Sequence, residues 1–295
     1  MATTPRPADH LTHPQPLTAR PVHARRVVVP VDGSPFAERA LPVAAWVARA
    51  LGGGTYLVQV VPSDDEAEPV IRYLDSAARR HGVTSWDVLR GDDVSEAIAG
   101  ILTDDEPGLP CLATHGRDRS AAVLGSVAEA VVERVAVPVV LAGPRSRPAR
   151  ADDAPIIAGV AGSDDDGQVV EAALGWAATM GRRLVVATVA EPVPAPYRED
   201  RPVRRGHGPP DPEAYVEDLV ERAAGSDVQV VGRVAYDPVS VRDGLVDLAG
   251  DTTALVVLGT HHRSRPARTL RGSHAARIVH DLRVPAVLVP LDARG

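Results

Sequence analysis

Two doubly wound α/β domains in tandem are what this sequence predicts, and three observations carry the prediction. Short apolar runs, suited to strands buried on both faces, alternate with stretches at helical spacing, which means parallel strands joined by helices. The pattern occurs twice, since Val27-Val28-Val29-Pro30-Val31-Asp32-Gly33-Ser34 is answered by Ile156-Ile157-Ala158-Gly159-Val160-Ala161-Gly162-Ser163. A second motif also repeats. Ala113-Thr114-His115-Gly116, then Gly125-Ser126, then Val137-Pro138-Val139-Val140-Leu141 is answered by Gly259-Thr260-His261-His262, Gly272-Ser273 and Val284-Pro285-Ala286-Val287-Leu288-Val289. Self-similarity at so long a period means duplicated domains rather than a solenoid. The motifs stand further apart in the second half, which places an insertion at Pro192 to Pro212.

In the first half, Val27–Val31 is the opening strand and Ser34 the cap of the helix that follows. In that helix Ala40, Ala44, Val47 and Leu51 repeat at helical spacing, Gly52-Gly53-Gly54 ends it, and Pro42 is expected to kink it. Strand Tyr56–Val61, helix Ala67–Arg80, strand Trp86–Leu89, helix Val94–Leu102 and strand Cys111–Ala113 come next. A helix opened by Gly125-Ser126 and strand Val139–Leu141 complete the unit. The second half repeats the order as Ile156–Val160, Val170–Met180, Leu184–Val189, Glu213–Ala224, Val228–Val234, Val239–Leu248, Leu255–Leu258, Ser273–His280 and Ala286–Val289. The domains are therefore 25–145 and 156–292, with the polar stretch 146–155 as linker. Residues 1–24 carry Pro5, Pro7, Pro14, Pro16 and Pro21 and lack the apolar centre of a secretory signal. They are expected to be a disordered tail, and the chain cytoplasmic.

Composition narrows the chemistry. The 295 residues suffice for two domains, and 44% hydrophobic content with only 3% aromatics means cores of Val, Ala and Leu. There is no Lys and no Asn, and all 32 basic residues are Arg. A Walker P-loop and Schiff-base catalysis both need Lys, and N-glycosylation needs Asn, so all three are excluded. The single Cys111 excludes an internal disulfide and lies in an apolar strand, where it reads as core filler. A net charge of −7 argues against broad nucleic-acid binding, and no apolar run approaches the roughly 18 residues of a membrane span.

Both second motifs join a Gly-marked loop to a Gly-Ser that opens a helix. Glycine lets backbone N–H groups approach an anion closely, and a helix N-terminus adds its dipole, so the pattern suits phosphate binding. Taken together, these motifs over residues 25 to 292 resemble the universal stress protein family in its tandem form. The resemblance implies Rossmann-like domains with strand order 3-2-1-4-5, whose ligand crevice lies where the order reverses, between the first and fourth strands. It implies ATP as ligand, with Mg²⁺ as its counter-ion. Pro30 and Asp32 would meet the adenosine part, and Gly116, Gly125, Ser126, Gly259, Gly272 and Ser273 the phosphates. The first half departs from the family pattern in Ala113 and a loop one residue short. The second departs in His262 and in Ala161 for the Asp. Because His262 puts a bulky ring where backbone should approach phosphate, the first half is expected to bind more tightly.

Each feature also has a plainer reading. Asp32 suits a turn, and Ser126 and Ser273 suit helix caps. The loop with Arg263, Arg265, Arg268 and Arg271 is either a phosphate clamp or a solvated loop, and Asp164-Asp165-Asp166 suits the positive end of a helix. A metal site from His261, His262, His274 and His280 is disfavoured, since His274 and His280 point to different faces of one helix. No acid–base pair stands at a catalytic spacing. The sequence thus points to a stress-response, nucleotide-binding regulatory module without assigned catalysis, with slow ATP hydrolysis ranked last. The second reading is a degenerate, nucleotide-free scaffold that dimerises. The expected partners are an adenine nucleotide and the other half of the chain in an intrachain pseudo-dimer, with a homo-oligomer beyond it and neither nucleic acid nor membrane. The apolar last strands, Val139–Leu141 and Val287–Val289, are expected to pair antiparallel.

Overall fold

The computed structural model describes residues 15–63, 67–83, 85–102, 107–114, 124–190, 209, 211–237, 240–261 and 274–291. The first half contributes β1 (Arg26–Pro30), α1 (Ala40–Ala50), β2 (Gly54–Val61), α2 (Ala67–His81), β3 (Ser85–Arg90), α3 (Val94–Gly100), β4 (Gly108–Ala113), α4 (Ser126–Arg134) and β5 (Val139–Ala142). The second contributes β6 (Ile156–Gly159), α5 (Asp166–Met180), β7 (Leu184–Ala190), α6 (Pro212–Ala223), β8 (Val230–Tyr236), α7 (Val241–Ala249), β9 (Leu255–His261), α8 (His274–Asp281) and β10 (Ala286–Leu291). Sheet order is β3-β2-β1-β4-β5-β10-β9-β6-β7-β8, ten strands in one sheet. Each half has the order 3-2-1-4-5 in its own count, parallel throughout.

The halves join where β5 and β10 pair antiparallel, with Val140 opposite Val287, as the apolar last strands suggest. Side chains alternate across the sheet with a period of two. Val140, Ala142, Val287 and Val289 face a core shared with Leu41, Leu74, Leu174 and Leu219 of α1, α2, α5 and α6. Val139, Leu141, Ala286 and Leu288 face the other core, with Ile98, Val131, Leu245 and Val279 of α3, α4, α7 and α8. Fully burying one such Val or Leu stabilises by roughly 1.5–3 kcal/mol, so this seam holds the halves firmly. Cys111 fills the first core, its Sγ 3.8 Å from the Ala40 carbonyl oxygen, and burial pushes its thiol pKa up. None of the described helices is long and apolar enough to cross a membrane.

Two expectations change. Pro42 stands in the first turn of its helix rather than in the interior, where a kink is expected. A 3-10 turn over Ala37–Arg39 leads into α1, which starts at Ala40, so Pro42 falls in the first turn, where a backbone N–H has no intrahelical acceptor to lose. Residues 15–24, expected within a disordered tail, are an extended strap laid over α5 and α6. Leu17 is 6% exposed and its N–H donates to the Arg222 carbonyl (2.8 Å), while the Arg20 N–H donates to the Glu171 carbonyl (3.0 Å). The Arg20 guanidinium also pairs with the Glu171 carboxylate at 2.9 Å. Gly175 makes this approach feasible, because a methyl group there would lie 1.7 Å from the Arg20 carbonyl oxygen. We therefore expect Gly175→Ala to release the strap. Hydrogen exchange should accelerate at the Leu17 and Arg20 amides and stay slow at Val28 in β1. Unchanged protection at Leu17 and Arg20 would contradict this account of the strap.

Candidate functional site

In the first half, β1 and β4 are parallel neighbours, so the segments leaving them open on the same edge of the sheet. Pro30 ends β1 opposite Val58, and the Val31 N–H donates to the Val58 carbonyl. The chain then turns through Gly33 at φ 79°, a left-handed conformation that glycine adopts without strain. Asp32, half-buried, holds this turn, as its Oδ1 accepts the Ser34 N–H at 2.9 Å. Ser34 is buried and its Oγ accepts the Ala37 N–H at 3.2 Å, so it starts the 3-10 turn rather than the α-helix itself. Leaving β4, Thr114 donates its N–H to Ala142 in β5, and its carbonyl accepts the Gly125 N–H at 2.6 Å. That bond pins the start of α4 to the end of β4. Gly125 is the cap residue and has no side chain to occupy the first N–H groups of the helix, and Ser126 stands exposed beside it.

The structure therefore brings Pro30, Asp32, Gly125 and Ser126 to the ends of two adjacent strands. Gly116, Gly272, Ser273 and the Arg-rich loop lie outside the described residues. Gly259 is set inside β9, opposite Val289 of β10, rather than in a loop. A methyl group there would meet the side chains of Leu291 at 2.6 Å and Val169 at 2.9 Å, so packing by itself favours glycine at this position.

The corresponding turn of the second half is built differently. Ala161 stands where the first half has Asp32, and the acid comes instead from Asp166, the first residue of α5. Its Oδ2 accepts the N–H groups of Ala161, Gly162 and Ser163 at 2.8, 2.7 and 3.0 Å, and its Oδ1 accepts the Ser163 hydroxyl at 2.9 Å. The Tyr215 hydroxyl donates to the same Oδ2 at 2.8 Å. Burial first, and then the Asp166 charge, push the Tyr215 pKa up. The charge pattern alone places the Asp164–Asp166 run at the positive end of a helix and does not show this arrangement. The signal that could have found it is Ser163-Asp164-Asp165-Asp166, the Ser-x-x-acid spacing of a capping box, in which the acid reaches back to the N–H of the capping serine.

On the 3-10 turn that follows Ser34 in the first half, Glu38 gathers three partners from α2. The Tyr73 hydroxyl (3.0 Å) and the Arg80 guanidinium (2.8 Å) donate to its Oε1, and His81 Nε2 lies 3.1 Å from its Oε2. Burial would push Glu38 up, but the bonds from His81, Tyr73 and Arg80 outweigh it and hold the carboxyl below its ordinary value. Tyr73 is pushed up, by burial first, then by its bond to Glu38 and by the charges of Glu38 and Asp32. A carboxylate lowered in the folded state adds stability above its ordinary pKa of 4.5 and loses it as pH falls through the folded value. Glu38→Gln should therefore cost on the order of 1 kcal/mol at neutral pH, measured by urea unfolding, and the difference should shrink below pH ~4. A difference that grows as pH falls would contradict this assignment.

Comparison with known proteins follows the same architecture. The family model of the Universal stress protein family matches residues 23–81 and 154–290. The departures at Ala113 and in the shortened loop fall in the unmatched stretch between. Universal stress protein MT2052 of Mycobacterium tuberculosis (strain CDC 1551 / Oshkosh) is 25% identical over 309 residues, spanning 90% of this chain and 96% of that protein. Among solved structures, a universal stress protein from Archaeoglobus fulgidus DSM 4304 is 16% identical at TM-score 0.64, covering 91% of this chain and 99% of its own. A putative universal stress protein from Pseudomonas aeruginosa UCBPP-PA14 is 18% identical at TM-score 0.56, covering 91% of this chain and 94% of its own. At these identities the two structures show the fold alone.

Proposed function

This chain belongs to the universal stress protein family, and on that footing we propose that it is a nucleotide-binding regulatory module of the stress response, of ATP type, without catalysis of its own. The observation that carries the reading is the first-half crevice. A half-buried acid held in a left-handed turn stands at the end of β1, and α4, opened by a glycine, stands at the end of the adjacent β4. Open α/β sheets bind ligands at this place, where the strand order reverses. Asp32 and Pro30 would hold the adenosine part. The N–H groups after Gly125, the Ser126 hydroxyl and the Gly116 loop would hold the phosphates, with Mg²⁺ as counter-ion. Nucleotide supplies negative charge to a glycine-opened helix start, and its presence or absence biases the conformation of that edge and the choice of partner. The pairing of β5 with β10 supports an intrachain pseudo-dimer as the working unit, and the outer strands β3 and β8 leave edges where a homo-oligomer could form.

One observation favours a second reading, a nucleotide-free scaffold. The turn after β6 is satisfied from within by Asp166. Equilibrium dialysis against ATP separates the two readings. With ATP at roughly tenfold above a dissociation constant in the micromolar to millimolar range, the chain should retain nucleotide. Asp32→Ala should weaken retention about two- to tenfold, as the loss of one hydrogen bond predicts. Retention equal to that of a Gly125→Asp, Gly272→Asp double variant would overturn the proposal and leave the scaffold.

A further inference from the structure

We propose that Asp166 is a built-in anion that closes the turn of the second half, so that the chain takes up one nucleotide rather than two. The stoichiometry rests on the nucleotide-binding reading above, whereas the closure stands on the geometry of the turn. Three successive N–H groups, those of Ala161, Gly162 and Ser163, converge on one carboxylate oxygen within 3.0 Å. Consecutive N–H groups around a left-handed glycine form a concavity that takes anions, and Gly162 sits at φ 83°. Here the anion is the protein's own. Asp166 is 4% exposed, and the Ser163 and Tyr215 hydroxyls complete its shell, so an incoming phosphate or ribose group would find these donors already engaged. A phosphate would also meet a buried negative charge at short range, where the local dielectric is low and repulsion is strong.

A second, independent feature closes the same turn from outside. Pro209, near the end of the Pro192–Pro212 insertion, lies directly over Gly162. A methyl group on Gly162 would stand 2.8 Å from the Pro209 nitrogen and 3.0 Å from its Cδ. The first half has no equivalent acid. Three residues after Ser34 stands Ala37, where three residues after Ser163 stands Asp166. The nearby Glu38 is drawn away to Tyr73, Arg80 and His81 on α2. The acid has in effect moved across the turn. Asp32 precedes the first and leaves its own turn stabilised from the strand side, whereas Asp166 follows the second and reaches back to fill it.

Two measurements on the full chain test this. Calorimetric titration with Mg²⁺-ATP should give one site per chain in the unaltered protein, weakened several-fold by Asp32→Ala, whereas Asp166→Ala leaves the affinity of that first-half site unchanged. Two sites per chain in the unaltered protein would overturn the inference and leave nucleotide binding intact. No binding in any variant would overturn the proposed function and, with it, the stoichiometry. The closure itself is read with inorganic phosphate by amide NMR. Phosphate should leave the Ala161, Gly162 and Ser163 signals of the unaltered protein in place and move them in Asp166→Ala. Should that variant fail to fold, Asp166→Ser shortens the side chain out of reach of the three N–H groups while keeping a polar helix start, and should show the same gain. Movement in the unaltered protein, or none in a folded variant, would show that Asp166 is not a stand-in anion.

Discussion

The antiparallel pairing of β5 with β10 is the constraint on which the rest of the molecule depends. Each strand is apolar and almost wholly buried on both faces, and left alone it would be an exposed edge ready to pair with another chain. Paired, the two strands fuse five and five into one sheet and set the halves in opposite directions. The carboxyl ends of the parallel strands of the first and second half therefore open on opposite edges of the sheet. Chain segments flank the seam. Ser146, just after β5, accepts the Gly143 N–H and donates to the Val284 carbonyl, both at 2.9 Å, and the Arg147 N–H donates to the Arg283 carbonyl at 3.0 Å. Gly143 must be glycine there, since a methyl group would lie 2.5 Å from the Val279 carbonyl oxygen. The strap from Gln15 to Ala24 makes a second tie, running from β1 to the α5–α6 face of the other half.

Much of this was legible in the sequence because a doubly wound sheet buries its strands on both faces and writes them as continuous apolar runs. Val27–Val29, Leu184–Val189 and Ala286–Val289 needed no other information. What stayed hidden was of two kinds. The strap has one buried apolar side chain, Leu17, with the small part-buried Ala19, Val22 and Ala24 beside it, and its real determinant is Gly175, far away on α5. A glycine inside a helix reads as a local cost until the segment that lies against it is known. Gly259 misleads in the opposite way. It matches a phosphate-loop motif, but it stands mid-strand with Leu291 and Val169 filling the space of its missing side chain.

The same division holds at the site. The Asp32-Gly33-Ser34 turn could be read from residue types alone, because a short acid before a left-handed glycine is a turn with a mechanism. Its counterpart could not be read by aligning one half with the other, since the alignment shows only Ala161 in place of Asp. The compensation sits five residues later in Asp166, and its partner Tyr215 comes from another helix. Duplication thus produced two turns of similar path and unlike electrostatics. One is held by an acid from the strand side, with a bare glycine at the neighbouring helix start. The other is filled from within and covered by Pro209. Family membership and fold apply to both halves alike, whereas these few hydrogen bonds distinguish them.

The most direct test is a hydrogen–deuterium exchange footprint of the full chain with and without Mg²⁺-ATP. The account predicts slower exchange at Gly33, in the turn after β1, and at the first amides of α4, Ser126 to Ala128. It predicts no change at Ala161, Gly162 and Ser163, whose N–H groups already bond to Asp166. Protection appearing at Ala161 to Ser163, or at neither turn, would contradict it.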